Sequence, residues 1–478
     1  MKSAAWLFSG TMIGRALRAF ILIYSARVLG ADSWGAFSLG LSLSAVFTIL
    51  SDMGVNAVLV KEGVKSDDAR RRHFASAFLI KFPVLAVFAA AASLIILIYS
   101  LRIPGIMPLL PFIILIFTFD SLRDLVSSLA RSFERMDLDA KGQIFTNAAI
   151  VAVSLIALRF SPSALSVIAS YAAGTLLGLL FVSIPLRREF AGLLSRWNWR
   201  LVKEMVTSAW PFGLVSLMGV VAVNTDALIV GLMRDAVSVG LYSAALRPIQ
   251  FLYVIPAALA SAIFPSLARL SDEKSEFRRL LSSGIRSAYL FALPLAIGGF
   301  ITARGAINLL YGPEYLSGAP SFAILSLTFL FVFPSLFITN ALFARNLKGK
   351  TFLVYSAIGI FGNAALDVVF INIWGIAGSA FATLIIQGIL FFYGSRKLRD
   401  DLDFSVFSGA SKIFVSSAAM GLVAAILTLS GAHVLITIAI SGAVYLLSLI
   451  ALREPTLKEI SRPLLRKIGL SPEWQGEQ

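Results

Sequence analysis

The sequence predicts an all-α integral membrane protein with about fourteen transmembrane helices. Of its 478 residues, 58% are hydrophobic and only 14% are charged, whereas roughly a quarter of the residues of a soluble domain are charged. Fourteen apolar stretches fill most of the chain, and most approach the roughly 20 residues that a helix needs to cross a bilayer. Helices are expected because a backbone surrounded by lipid must satisfy its own hydrogen bonds.

The predicted spans follow one another with short polar connections. In chain order they are Ala4–Leu29, Ala36–Val60, Phe74–Tyr99, Met107–Ala130, Gln143–Leu158, Ala164–Leu186, Met205–Leu232, Val239–Phe264, Ile285–Thr302, Ala319–Ala344, Phe352–Ile371, Gly375–Tyr393, Ile413–Leu429 and Val434–Leu452. The fifth, ninth and thirteenth are short, so twelve or thirteen spans also fit the pattern. The first is expected to remain as a permanent helix, because it is too long for a signal peptide and carries Arg15 and Arg18 in its middle.

The basic residues indicate how these spans are oriented. Lys and Arg are concentrated at both chain ends and in alternate loops, whereas the opposite loops carry only Arg102, Arg159, Arg234 and Arg304. Cytoplasmic loops are the ones enriched in Lys and Arg, so both termini are predicted to be cytoplasmic, in a cytoplasmic (inner) membrane. Topology and anionic headgroups account for the net charge of +15, and no nucleic-acid partner is expected. The absence of cysteine excludes disulfides and thiolate metal sites.

A weak internal repeat predicts two lobes. Val28-Leu29-Gly30 before Gly35-Ala36 is echoed by Ile229-Val230-Gly231 before Gly240-Leu241, and both motifs follow a helix that leaves the cytoplasm. Transporters commonly place the substrate pathway between such repeats. The predicted domains are a six-helix lobe, a cytoplasmic amphipathic linker, a second six-helix lobe, two additional transmembrane helices and a cytoplasmic tail, over residues 1–186, 187–204, 205–395, 396–452 and 453–478.

Four segments carry a resemblance to a known family in their combination and order. They are Ala26–Gly30 before Trp34-Gly35, Thr225–Gly231 followed by Val239–Ala245, Ile307–Tyr315 and Gly375–Gly378. Together they resemble the polysaccharide and O-antigen-unit flippases of the multidrug/oligosaccharidyl-lipid/polysaccharide exporter superfamily. The resemblance implies two six-helix bundles facing each other in a V, alternating access, and passage of a lipid-linked oligosaccharide for surface polysaccharide synthesis. It also implies membrane lipids, polysaccharide polymerase and glycosyltransferases as partners.

Polar residues inside the spans point to a substrate site. A charged side chain at the bilayer centre costs roughly 2.5–3.5 kcal/mol, so it normally lines a hydrated cavity or forms a pair. Guanidinium groups suit a diphosphate because they donate two parallel hydrogen bonds and stay charged, and amides suit sugar hydroxyls. The predicted substrate-binding residues are Arg15, Arg18, Arg247, Gln250, Asn363 and Gln387.

Acids inside the spans are candidates for ion coupling. Asp52, Asp226 and Asp367 are predicted to couple transport to H⁺ or Na⁺. Two structural alternatives remain open, namely that Asp226 forms an ion pair with Arg247 and that acids and arginine of span four neutralise one another. Lys81 is expected to extend its ammonium group to the nearby membrane surface.

No enzyme signature is found, so a transporter without a hydrolytic or transferase site is predicted. The two histidines, His73 and His433, fall on opposite sides of the predicted membrane, and no cofactor or metal site is expected. Energy would therefore come from an ion gradient or the membrane potential. An ion-coupled small-molecule or multidrug exporter and a peptidoglycan-precursor flippase are the alternatives, although the arginines disfavour cationic cargo.

Overall fold

The computed structural model describes residues 2–191, 197–345, 349–402, 406–407 and 409–456, with the backbone alone for residues 2–11, 215, 349, 350 and 401. Within these ranges the chain is helical and has no strand. The α-helices are α1 Lys2–Asp52, α2 Val55–Gly63, α3 Asp67–Ser100, α4 Leu110–Ser132, α5 Met136–Phe160, α6 Ala164–Ser183, α7 Trp199–Met233, α8 Ala236–Leu252, α9 Val254–Arg269, α10 Lys274–Tyr311, α11 Ala319–Leu327, α12 Phe329–Ala344, α13 Gly349–Ala357, α14 Asn363–Trp374, α15 Ile376–Leu402, α16 Ser411–Leu429 and α17 Val434–Ala451.

Thirteen helical segments of the described chain are long and apolar enough to cross a membrane, which confirms the predicted fold class. One of them, Met12–Asp52, has 41 residues and is about 60 Å long at the usual rise, enough for two passes. Its backbone leaves the helical conformation at Gly30, where φ is 75°. Counted as two passes, this segment brings the number to the predicted fourteen.

Some predicted spans are interrupted inside the membrane. The eighth divides at Tyr253 into α8 and α9, because Pro256 has no N–H to donate to the carbonyl of Leu252. The eleventh contains a π-helical turn, Ile358–Gly362, directly before α14.

The predicted amphipathic linker is divided in the structure. A 3₁₀ helix, Ile184–Phe190, covers its start, and α7 already begins at Trp199. Residues 192–196 of the linker and the tail from residue 457 lie outside the described ranges.

The chain divides into two compact units. Unit 1 contains residues 1–247, 310–315 and 360–379, and unit 2 contains residues 248–309, 316–359 and 380–478. Helices α8, α10 and α15 and the π-helical turn therefore contribute residues to both units. The predicted boundaries of the two six-helix lobes remain a prediction.

Within unit 1, the two hairpins of the internal repeat pack directly against each other. A Cβ atom added to Gly35 would lie 1.8 Å from the carbonyl oxygen of Ala236 and 2.9 Å from the nitrogen of Gly240. Reciprocally, a Cβ added to Gly240 would lie 2.0 Å from the carbonyl oxygen of Ala31. Glycine is required at both positions because no side chain fits between the backbones, as is common where membrane helices meet.

Candidate functional site

The arginines of α1 lie beside α5. Arg18 Nε donates to Asn147 Oδ1 at 3.1 Å, and Asn147 Nδ2 donates to the carbonyl of Gln143 at 2.8 Å. Arg15 is exposed on α1. In the described part of the chain, neither arginine forms an ion pair. Their charges are thus left uncompensated by carboxylates in contact with them.

Arg18 and Arg247 share a neighbourhood in unit 1. Both act electrostatically on Tyr171, and Arg247 also interacts with Tyr311. The two tyrosines are buried, and neither hydroxyl has a hydrogen-bond partner in the described ranges. A buried hydroxyl without a partner costs free energy, so a polar ligand between these groups would be stabilised by them. We call Arg18, Tyr171, Arg247 and Tyr311 the arginine–tyrosine cluster.

Sequence reasoning missed the tyrosines of this cluster. Tyr171 stands in the apolar α6 without any distinguishing spacing, and Tyr311 closes α10 inside the segment Ile307–Tyr315. The other predicted substrate residues, Gln250 and Gln387, are half-buried in unit 2. Their participation in a substrate site remains a prediction.

A second polar cluster contains two of the predicted ion-coupling acids. Tyr242 Oη donates to Asp226 Oδ2 at 2.5 Å. Asn363 Nδ2 donates to Asp226 Oδ1 and to Asp367 Oδ2 at 3.2 Å, and Ser379 Oγ donates to Asp367 Oδ1 at 2.8 Å. All five residues are buried in unit 1. One amide therefore bridges carboxylates on two helices, and we call these residues the acid-pair cluster.

The acid-pair cluster has an excess of acceptors. Asn363 Oδ1 is buried and has no hydrogen-bond partner among the residues described. Two neighbouring carboxylates repel each other when both are ionised, unless a proton or cation compensates. Carboxylate, amide and hydroxyl oxygens are also ligands for hard cations. The amide nitrogen of Asn363 is engaged by Asp226 and Asp367, and a role of this residue in substrate binding remains a prediction. Its position directly after the π-helical turn is typical of functional sites.

Asp52, the third predicted coupling acid, is paired with a lysine. Lys81 Nζ lies 3.2 Å from Asp52 Oδ1 and donates to Ser121 Oγ at 2.9 Å. The expectation that Lys81 reaches the membrane surface is wrong, because its side chain is 0% exposed and Asp52 compensates its charge internally. Asp52 also lines a cavity of about 610 Å³ in unit 1, together with Thr48, Asn56, Asp124, Asp139 and Gln143.

Arg123 of span four pairs with both acids of that span, in line with one of the alternatives. Arg123 lies 2.9 Å from Asp120 and 2.9 Å from Asp124. This local arrangement compensates the charges of α4 only in part, because one guanidinium group serves two carboxylates.

Comparison with known proteins identifies relatives that match most of this chain. A probable low-salt glycan biosynthesis flippase of Haloferax volcanii is 23% identical over 396 residues, which cover 80% of each chain. A candidate O-antigen transporter of Shigella flexneri is 22% identical over 330 residues, covering 66% of this chain and 77% of the relative.

Solved structures show the same fold. The lipid II flippase MurJ in an inward closed conformation matches with a TM-score of 0.71 at 18% identity, covering 96% of this chain and 99% of MurJ. An inward-facing multidrug resistance transporter of the MATE family, from the MOP superfamily, matches with a TM-score of 0.68 at 11% identity, covering 81% of this chain and 95% of that one. Residues 1–271 match the family described as polysaccharide biosynthesis protein. Since this match covers more than half of the sequence, the multi-pass membrane chain belongs to the polysaccharide biosynthesis protein family.

Proposed function

We propose that this protein is a flippase that moves a lipid-diphosphate-linked oligosaccharide from the cytoplasmic to the outer leaflet by alternating access. Family membership supports this function, as do relatives named as a glycan biosynthesis flippase and an O-antigen transporter. In this proposal the protein resides in the cytoplasmic membrane with both termini in the cytoplasm. Glycosyltransferases supply its substrate and polysaccharide polymerase receives it, and the protein itself has no hydrolytic or transferase site.

The arginine–tyrosine cluster carries the proposal. Two guanidinium groups provide paired donors for phosphate oxygens, and the hydroxyls of Tyr171 and Tyr311 provide two further donors without partners in the described chain. These groups would compensate the charge of a diphosphate and donate hydrogen bonds to its oxygens. Surrounding lipid can do neither. The same positive charges disfavour a cationic drug as cargo. A peptidoglycan precursor would present the same diphosphate chemistry with a different sugar.

We also propose that the acid-pair cluster binds the coupling ion, H⁺ or Na⁺. Asp226 and Asp367 provide the charge, and the free Oδ1 acceptor of Asn363 provides a neutral ligand. Asp52 is the weaker candidate because Lys81 already compensates it. Ser379 of this cluster is the last residue of unit 1 in α15, and Asn363 directly follows the π-helical turn, within which the chain passes from unit 2 to unit 1.

Substitution of the arginines tests the flippase function. We expect Arg15→Ala, Arg18→Ala and Arg247→Ala to abolish surface glycan assembly in a strain whose own flippase gene is deleted. Tyr171→Phe and Tyr311→Phe remove one donor each and should lower export by about tenfold to a hundredfold, as expected for the loss of a hydrogen bond to a charged group. Arg159→Ala, on the exposed end of α5, is the matched control.

Protein abundance in the membrane is measured by immunoblotting for every variant. Substrate identity is read from the lipid-linked intermediates that accumulate when export stops. Normal surface glycan in membranes that contain Arg18→Ala and Arg247→Ala protein at wild-type abundance would exclude the arginine–tyrosine cluster as the diphosphate site.

A further inference from the structure

Unit 2 contains a basic pocket where α9 ends and α10 begins. The pocket has a volume of about 570 Å³, and its lining includes one acid, two hydroxyls and three arginines, namely Glu276, Ser266, Ser283, Arg269, Arg279 and Arg286. The connection between α9 and α10 is one of the basic loops, which are cytoplasmic by the positive-inside rule. The pocket therefore opens at the level of the cytoplasmic headgroups.

The pocket lining includes Glu276 as its acid against three arginines. Arg269 Nη2 donates to Ser266 Oγ at 3.3 Å, and Arg286 Nε is buried without a hydrogen-bond partner in the ranges described. No ion pair of the described residues includes any of the three. Other cytoplasmic basic residues do pair with acids of their own helix, such as Lys65 with Glu62 and Lys141 with Asp137.

The backbone of Gly409 closely approaches one of these guanidinium groups. Gly409 has φ of +75°, and a Cβ atom added to it would lie 3.2 Å from Arg286 Nε and 3.3 Å from Cζ. A larger residue would press on the guanidinium group, so the close approach depends on glycine. Topology alone requires basic residues near this surface, but it does not require them to converge on a pocket with a buried, unpaired donor.

We propose that this pocket binds the phosphate group of a membrane lipid at the cytoplasmic surface. Arginine donates paired hydrogen bonds to phosphate oxygens, and basic pockets on the cytoplasmic side of membrane proteins bind acidic headgroups. The phosphate belongs either to a resident acidic phospholipid or to a prenyl diphosphate lipid arriving from the cytoplasmic leaflet. This site is separate from the arginine–tyrosine cluster and does not depend on the proposed export function.

Native mass spectrometry of the purified full-length protein tests the site. The lipids compared are phosphatidylglycerol, cardiolipin, phosphatidylcholine and a polyprenyl diphosphate. We expect the wild-type protein to retain the phosphate-rich acidic lipids at least tenfold more tightly than phosphatidylcholine. Arg279→Gln combined with Arg286→Gln should weaken that retention by about tenfold to a hundredfold. The control is Arg135→Gln, at an exposed position of a predicted cytoplasmic loop outside the pocket. It removes one positive charge, as each pocket substitution does, and should leave lipid retention unchanged.

The outcomes separate the two sources of phosphate. Tighter retention of phosphatidylglycerol or cardiolipin identifies a resident lipid, and tighter retention of polyprenyl diphosphate identifies a docking site for the prenyl carrier; both support the proposal. Equal retention of phosphatidylcholine and of all three acidic lipids, polyprenyl diphosphate included, by the wild-type protein would overturn it. So would unchanged retention in the double variant. If the double variant does not fold, Arg279→Gln alone, at an exposed position, must still reduce retention.

Discussion

Individual charges inside the helices differ in how they are compensated. Lys81 and Asp52 compensate each other at 3.2 Å, and Arg123 is shared by two acids. Asp226 and Asp367 are instead held together by the amide of Asn363. Replacing a buried ion pair by apolar groups is often neutral, whereas two adjacent acids need a proton or cation to be stable. In the proposal that the acid-pair cluster binds the coupling ion, we therefore expect ion binding there to stabilise the folded protein.

Single substitutions in this cluster should remove ion-dependent stability. We expect Na⁺ or H⁺ to raise the melting temperature of the purified wild-type protein, because a ligand at ten times its Kd stabilises the folded state by about 1.4 kcal/mol. Asp226→Asn and Asp367→Asn should abolish this shift. Melting is measured in NaCl against choline chloride at several pH values.

Asp32→Asn, at an exposed acid in the predicted outer loop, serves as the control and should keep the full shift. An ion-dependent shift that survives in both cluster variants would assign coupling to another group. Loss of the ion-dependent shift in Asp52→Asn alone would instead assign ion binding to the pair of Asp52 and Lys81.

Among the helices, the contact between the two repeat hairpins is set by glycine. Gly35 and Gly240 meet backbone atoms of the opposite hairpin at distances that leave no space for a methyl group. Between membrane helices, such close backbone approach takes the place of the hydrophobic effect as a source of packing energy. The sequence echo that predicted two related lobes therefore also corresponds to a direct contact within unit 1.

Adding a methyl group at this contact should destabilise the protein. Overpacking of a tight interface costs roughly 1–3 kcal/mol, so Gly35→Ala and Gly240→Ala should lower the melting temperature and reduce export. Gly219→Ala is the matched control, since nothing lies within 4 Å of a Cβ atom there. Because Gly219 lies inside a helix, the Gly219→Ala variant should be more stable than the wild-type protein by about 0.5–1 kcal/mol. If Gly35→Ala melted at the same temperature as the wild-type protein, the hairpins would be able to move apart without a loss of stability.

For the whole molecule, the distribution of Lys and Arg among the loops predicts the orientation in the membrane. The chain contains no cysteine, so a single introduced cysteine reports its own side of the membrane without background. We expect a membrane-impermeant maleimide to label Ser161→Cys in intact cells. Lys65→Cys should be labelled only after permeabilisation, and both positions are exposed. The reverse pattern would invert the orientation and would place the basic pocket of unit 2 on the outer face.

Many residues of the candidate site could be predicted from the sequence. The others could be found only from the contacts between helices. Arg18, Arg247, Asp226 and Asp367 stand out because charge is costly inside a membrane span. Tyr171 does not stand out, because a tyrosine in an apolar helix has the same sequence pattern whether or not its hydroxyl has a partner. Asn363 was placed with the sugar ligands because an amide suits either role.

Hydropathy alone determined that this chain is helical and has about fourteen segments able to span a membrane, and the charge pattern predicts an orientation. These properties are sums over segments of about 20 residues and need no knowledge of which segments meet. Only the tertiary structure decided that Lys81 is compensated inside the membrane, that Asn363 joins Asp226 to Asp367, and that three arginines converge on one pocket. Each of these depends on side chains from helices or loops whose relative depth and rotation are set by packing, which hydropathy does not encode.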